Sequence, residues 1–355
     1  MALRPALAQL LIAELGLGAI AAGLALIAAT DGAGPLIGAI ALITLGAVLV
    51  LGAVIRFQGR WLYQHAIARV RLRRGAARRR GPDAAAGPLS ELSGGYTVEA
   101  IPGPRQSTLG AVRCGTTWTV ALEIAADDLL GDDPPVPLRD LPTLLRIEDV
   151  PLTQVRLLTF AAPAPDGGAV PRTAARLCLL SVDTRAAAEA LTARGGSRAA
   201  LAQILRRCVL RAEELLSTHG VTTRPVDPAA MTRALDVCLG ALAPDARPQE
   251  HWSHVSFGTA QSVSVALGGD AARGLAVADH LLAALPGPLA VSAVVVAPSG
   301  AGPVTTLVVR GGGPDAAAIA RRVRPAAQQG GLRVDELRGR QRDALLLTVP
   351  LAASR

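Results

Sequence analysis

Two long apolar runs open the chain. Residues 6–30 and 35–55 are hydrophobic almost throughout. About 20 such residues cross ~30 Å of hydrocarbon as a helix, so each run predicts a membrane span. Between them, Asp31-Gly32-Ala33-Gly34-Pro35 predicts a turn. The pattern is that of a two-helix transmembrane hairpin over residues 1–57. A secretory signal peptide is the competing reading of the N-terminus. The length of the first run, with a second following directly, disfavours it. Gly16, Gly18 and Gly23 in the first span, and Gly34 and Gly38 around the start of the second, leave small-residue faces on which membrane helices pack closely.

Past the spans the pattern turns polar. Gln58–Arg80 (QGRWLYQHAIARVRLRRGAARRR) reads as a helix leaving the membrane, with Trp61 and Tyr63 suited to the interfacial belt. Gly81-Pro82 and Gly87-Pro88 mark a linker, so residues 58–108 form a basic juxtamembrane helix and linker.

From Leu109 a soluble α/β (α+β) pattern begins, with strands predicted at 112–114 and 117–124 around Gly115. Strand 117–124 leads to helix 138–148, strand 153–161, a Pro/Gly turn, strand 174–183, helix 197–218 and strand 220–225. The order then recurs as strand 261–267, helix 272–285, strand 289–297, strand 303–310, helix 314–327 and strand 331–335. Each copy is β-α-β-β-α-β, the ferredoxin-like order. The reading is a first half over 109–242, carrying an extra helix, and a second over 243–355.

In helix 197–218, Leu201, Ile204, Leu205, Cys208, Ala212, Leu215 and Leu216 recur at helical spacing. Arg206, Arg207, Arg211, Glu213 and Glu214 fall mostly off that face, and Gly195-Gly196-Ser197 offers the cap. Asp227-Pro228 starts the extra helix, with Met231, Leu235, Cys238 and Leu242 as its buried stripe. Residues 344–351 read as a last strand.

Charge changes the picture. The net +8 belongs wholly to residues 1–80, where ten Arg face only Glu14 and Asp31. In residues 81–355, 26 Arg meet 26 acidic residues. Nine of the ten follow the second span, from Arg56 to Arg80, which by the positive-inside rule places both chain ends in the cytoplasm. The excess is a topology signal and an anionic-lipid contact. A neutral soluble part with 2% aromatic residues disfavours nucleic-acid binding. The chain has no lysine, which excludes a Walker A loop and Schiff-base chemistry.

Candidate chemistry is sparse. Cys114, Cys178, Cys208 and Cys238 form no CxxC and read as buried free thiols. His251 and His254, three apart, lack a third metal ligand nearby. His219 reads as a group at a helix C-terminus, and His280 lies on an Ala-rich helix. Asp127, Asp128, Asp132 and Asp133 make a solvated loop without EF-hand spacing. Gly311-Gly312-Gly313 could cradle a phosphate ahead of a helix, but a strand–helix turn is preferred. Asp166 lies in a turn and Asp183 at a strand end. No catalytic, cofactor-binding or metal site is predicted. The candidate partner or lipid contacts are Glu14, Arg56, Arg60, Trp61, Arg69, Arg73 and Arg74. Glu14, several residues into a span, either meets a partner helix or lies protonated or snorkelling near the cytoplasmic interface.

Two spans followed by GRWLYQHAIARVRLRR resemble the start of EccE-type components of the actinobacterial type VII (ESX) secretion system. PLRDLPTLLRIEDVPLTQVRLLTF looks like that family's helix–strand unit. The run from Arg176 to Asp227 is similar to its strand, its Arg-Gly-Gly (Arg194, Gly195, Gly196), its long helix and its His-Gly-Val turn; Trp252 before a strand fits too. The resemblance covers most of residues 1–270, in a chain that is shorter and richer in Ala and Arg than usual members. It implies a structural, non-catalytic, two-pass subunit of an inner-membrane secretion complex with a cytoplasmic domain. It implies EccB-, EccC- and EccD-like subunits as partners, and no cofactor. The rivals are a membrane-anchored, transferase-like enzyme and an anionic-lipid-binding adaptor working through Arg69 to Arg80.

Overall fold

The computed structural model describes residues 5–29, 33–57, 60–63, 69–70, 87–125, 136–162, 172–239, 247–285, 289–313 and 316–352. The chain divides into two units, Met1–Arg80 and Gly81–Arg355.

The first unit is a helical hairpin. Helices α1 (Pro5–Ala29) and α2 (Ala33–Val54) match the two apolar runs. Each is long and apolar enough to cross a membrane, and most of its surface is unburied within the fold. Small residues set their contact. A Cβ on Gly16 would lie 2.8 Å from Gly46 O, and one on Gly46 would collide with Gly16 O. Gly23 sits equally close to Ala39 O, at 2.8 Å. Gly18 faces away, with nothing within 4 Å of its Cβ position. Gln9 Nε2 donates to Ala53 O at 2.9 Å and ties the start of α1 to the end of α2.

The expected helix from residue 58 onward is not continuous with α2. Strands β1 (Arg56–Phe57) and β2 (Arg60–Trp61) pair antiparallel, and Leu62 N–H donates to Ile55 O at 3.0 Å. The chain therefore reverses just past the span.

The second unit is a sheet between two helical layers. A short helix α3 (Pro88–Ser93) leads to β3 (Thr97–Pro102), β4 (Thr108–Cys114) and β5 (Thr117–Ile124). The sheet thus begins before Leu109. A 3-10 turn (Leu141–Leu145) and a hairpin of β6 (Arg146–Ile147) and β7 (Val150–Pro151) replace the expected helix 138–148. Pro137, Pro142 and Pro151 explain this, since proline breaks the α-helical ladder. Next come β8 (Gln154–Ala162), β9 (Arg172–Asp183), α4 (Ala188–Ala193), α5 (Arg198–Thr218), β10 (Thr223–Pro225) and α6 (Pro228–Leu239). The chain continues through β11 (Pro248–Glu250), β12 (Val255–Phe257), β13 (Ala260–Gly268), α7 (Ala271–Ala284), β14 (Leu289–Ser299) and β15 (Gly302–Gly313). It ends with α8 (Ala316–Gln329), β16 (Arg333–Asp335) and α9 (Gln341–Leu347).

All pairings of the large sheet are antiparallel. Its order is β11-β12-β13-β15-β14-β8-β9-β5-β4-β3, with β10 added to β5 and β16 to β13. Two four-strand sets are legible in it. One runs β10-β5-β9-β8 and the other β16-β13-β15-β14, and β8 and β14 join them edge to edge.

Strand alternation sends one core to each face. In β9, Cys178, Leu180 and Val182 meet the layer of α5, α7 and α8, while Leu177 and Leu179 meet that of α3, α6 and α9. Leu201, Ile204, Leu205, Cys208, Ala212 and Leu216 of α5 are buried as its spacing predicts. Each buried leucine contributes about 1.5–3 kcal/mol. Ser197 Oγ accepts from Ala200 N–H at 3.2 Å, and Asp227 Oδ1 from Ala230 N–H at 2.7 Å, so both expected caps form. Met231, Leu235 and Cys238 are buried; Leu242 lies outside the described residues.

Two further expectations are corrected. Residues 341–347 are helix α9, not a strand. A short leucine run does not distinguish the two by periodicity, and here Gln341 decides. Its Nε2 donates to Ser264 O at 3.0 Å while its Oε1 accepts from Ser264 N–H at 2.8 Å, anchoring the helix start on β13. Gly311, Gly312 and Gly313, expected as a strand–helix turn with a phosphate cradle as the alternative, are instead buried strand, paired with β13 and β14. A Cβ on Gly311 would sit 3.0 Å from Ile319 Cγ2, so glycine there lets α8 approach the sheet.

Candidate functional site

The outer face of α5 carries the most chemistry. Gln203, Arg206, Arg207, Leu210, Arg211 and Glu214 recur at helical spacing opposite the buried stripe. With the turn at 141–145 and the β6–β7 hairpin they wall a cleft of about 780 Å³. Arg194 closes one end. Its Nη1 and Nη2 donate to Asp149 Oδ2 and Oδ1, each at 2.7 Å. That hydrogen bonding holds the Asp149 carboxyl down at about 2, and Arg194 is raised in turn. Arg207 pairs with Glu148 at 2.7 Å and Arg211 with Glu214 at 2.5 Å. Arg146 and Arg206 have no carboxylate partner among the described residues. Arg206 also lines a second cleft, of about 640 Å³, with Arg105. Arg105 is 83% exposed, and its nearest carboxylate, Glu213, lies 3.9 Å away. Glu213 itself is buried, against the expectation that it lies off the apolar face.

The other helical layer hides two cations. Arg156 on β8 and Arg310 on β15 are 0% and 2% exposed. Arg156 Nη1 donates to Leu346 O, Leu347 O and Val349 O at 3.2, 3.1 and 2.8 Å, at the carboxy end of α9. Arg310 Nη2 donates to Cys238 O near the carboxy end of α6. Both helix ends carry partial negative charge, which partners the guanidiniums in place of carboxylates. Burial pushes Arg156 down to about 9 and Arg310 to about 10, so both stay charged at neutral pH. Neither could have been found from its strand pattern; an arginine in an otherwise apolar strand was the only signal.

The remaining candidates scatter. Glu14 is exposed on α1, with no hydrogen bond or ion pair among the described residues. Arg56, Arg60 and Trp61 lie on the β1–β2 pair, and Arg69 is exposed; Arg73 and Arg74 lie outside the described residues. His251 and His254 stack at 4.4 Å across a tight turn rather than on a helix. Their partners are Ser256 and Ser253, and burial followed by the neighbouring His251 lowers His254. Among the described residues no group of three or more His, Cys, Asp or Glu could hold a metal. His219 caps α5 through its backbone N–H, and its Nε2 meets Asp140 Oδ2 at 3.1 Å. His280 is exposed on α7, and Asp183 Oδ1 accepts from Arg185 N–H. All four cysteines are free and buried, as expected. The acidic loop at 127–133 and Asp166 lie outside the described residues.

No curated protein matches the chain. Residues 172–266, which run from β9 through α5 and its Arg194-Gly195-Gly196 start into β13, match a family model. That family is EccE, described as "Putative type VII ESX secretion system translocon, EccE"; over this stretch the chain is similar to it, a likeness that supports a component of type VII secretion.

Proposed function

We propose that the protein is a structural, non-catalytic subunit of a type VII secretion complex in the inner membrane. The observation that carries this is the EccE match over residues 172–266. The apolar hairpin supports a two-pass anchor, and the net +8 of residues 1–80, with nine arginines after the second span, supports cytoplasmic placement of the N-terminus and sheet unit. The sheet unit is two ferredoxin-like halves. The orders β10-β5-β9-β8 and β16-β13-β15-β14 support this, since each is the 4-1-3-2 order of a βαββαβ unit, although the first set has a 3-10 turn where the second has α7. EccB-, EccC- and EccD-like subunits are the partners. Glu14 and the juxtamembrane arginines Arg56, Arg60, Arg69, Arg73 and Arg74, with Trp61, meet partner helices or anionic headgroups.

The test is mild-detergent extraction of the tagged protein from its native membrane, followed by mass spectrometry. Co-extraction of an FtsK/SpoIIIE-like ATPase and a many-span membrane protein is expected. The protein alone, in stable monomeric form, would overturn the reading in favour of an enzyme or a lipid adaptor.

A further inference from the structure

The two clefts beside α5 share Arg206 and so form one basic track across the helix. Along it, among the described residues, Arg105, Arg206 and Arg146 have no carboxylate closer than the 3.9 Å of Glu213 to Arg105. Leu210, 38% exposed, adds an apolar spot to the larger cleft. Elsewhere in the sheet unit several arginines are neutralised locally. Glu99 takes Arg113 and Arg198, Glu123 takes Arg224, and Glu336 takes Arg324 and Arg338. A track left positive in a unit of zero net charge is thus a local feature.

Its shape and chemistry select the ligand. Guanidinium forks match carboxylates two bonds at a time. The larger cleft is recessed between the 146–151 hairpin and α5, which a flat bilayer surface does not enter. Among the described residues, no aromatic side chain lines either cleft for base stacking. We propose that this track docks an acidic linear peptide segment of a partner protein, its carboxylates on Arg105, Arg206 and Arg146 and an aliphatic side chain on Leu210. The proposal rests on the reading of the chain as a subunit of a complex, and it names the chemistry of one contact.

The experiment uses the full-length protein in detergent micelles and a fluorescein-labelled peptide of repeating Glu-Glu-Leu, read by fluorescence anisotropy. Binding is expected to weaken with added salt. It is expected to fall about tenfold or more in R146E/R206E. The neutral variant R146Q/R206Q is expected to fall between, and R233E, on the exposed face of α6, to bind as the native protein does. Circular dichroism and cysteine protection confirm that each variant is folded. Equal binding by native protein and R146E/R206E, or an equal loss in R233E, would overturn the proposal. So would a charge-reversed variant that keeps the peptide but loses phosphatidylglycerol vesicles, which would make the track a lipid contact. Failure of the peptide while native subunits still co-extract would overturn this docking site alone; failure of co-extraction would overturn the subunit reading.

Discussion

Arg194 and Asp149 are joined by two parallel hydrogen bonds of 2.7 Å that fasten the start of the long helix to the β6–β7 hairpin. Arg194 also donates to Ala190 O at 2.8 Å, so one guanidinium closes α4 and the hairpin together. The arginine is part of the Arg-Gly-Gly on which the family resemblance drew, and its role here is to hold one end of the basic cleft.

That pair predicts a pH dependence. Asp149 titrates at about 2 in the folded protein, below its ordinary carboxylate value. Its contribution to stability is therefore complete above pH ~4 and disappears as the pH falls toward 2. In Arg194→Gln the Asp149 carboxyl should titrate near its ordinary value, and the hairpin amides should exchange faster. Carbon-detected NMR of the carboxyl checks the first; an unchanged titration in the variant would show that another group holds Asp149 down.

Arg156 predicts the fate of the carboxy-terminal segment. Replacing it with Met removes the guanidinium donor from Leu346 O, Leu347 O and Val349 O, of which Val349 O keeps Leu351 N–H at 2.7 Å. Each unpaired buried carbonyl costs about 1–3 kcal/mol, offset in part by removal of a desolvated charge. A net loss of roughly 2–4 kcal/mol in a urea titration is expected, with hydrogen exchange rising first in residues 341–351. Stability equal to the native protein would mean that the buried charge costs as much as its hydrogen bonds return.

The hairpin predicts an asymmetry among its glycines. Gly46→Val drives a side chain into Gly16 O and Ile20, and overpacking of this kind costs about 1–3 kcal/mol. Gly18→Val meets open space. Disulfide trapping between cysteines placed at Gln9 and Ala53 should fall in the first variant and persist in the second. Equal trapping in both would place the helix contact elsewhere.

The thiols predict silence. Burial holds Cys178 and Cys208 up at about 12 and raises Cys238 further, so the nucleophilic thiolate is scarce at neutral pH. Alkylation by iodoacetamide at pH ~8 should label none of the four cysteines in the native protein and all of them in urea. Rapid native labelling at Cys208 would show that α5 lifts off the sheet.

The sequence determined what depends on neighbours in the chain. Apolar runs of span length fixed the hairpin, and a 3.6-residue stripe with Ser197 before it fixed α5. Most of the order of elements was legible because periodicity is local; the segments at 137–151 and 341–347 were not. The family resemblance was legible in the residues around Arg194 that later matched.

Tertiary structure decided what depends on distant partners. Leucines 345–347 are compatible with strand or helix until Gln341 binds β13 and Arg156 binds the helix end. Three consecutive glycines read as a turn until strand pairing and the approach of Ile319 require them in the sheet. The basic track could not be read from sequence either. Its arginines lie at 105, 146 and 206, on three separate elements, and each is ordinary in its own segment. Only the packing of the proline-broken 137–151 segment beside α5 sets Arg146 and Arg206 in one cleft. Local pattern chooses the element, and long-range contacts choose which charges are neutralised, which are buried and which are left to face a partner.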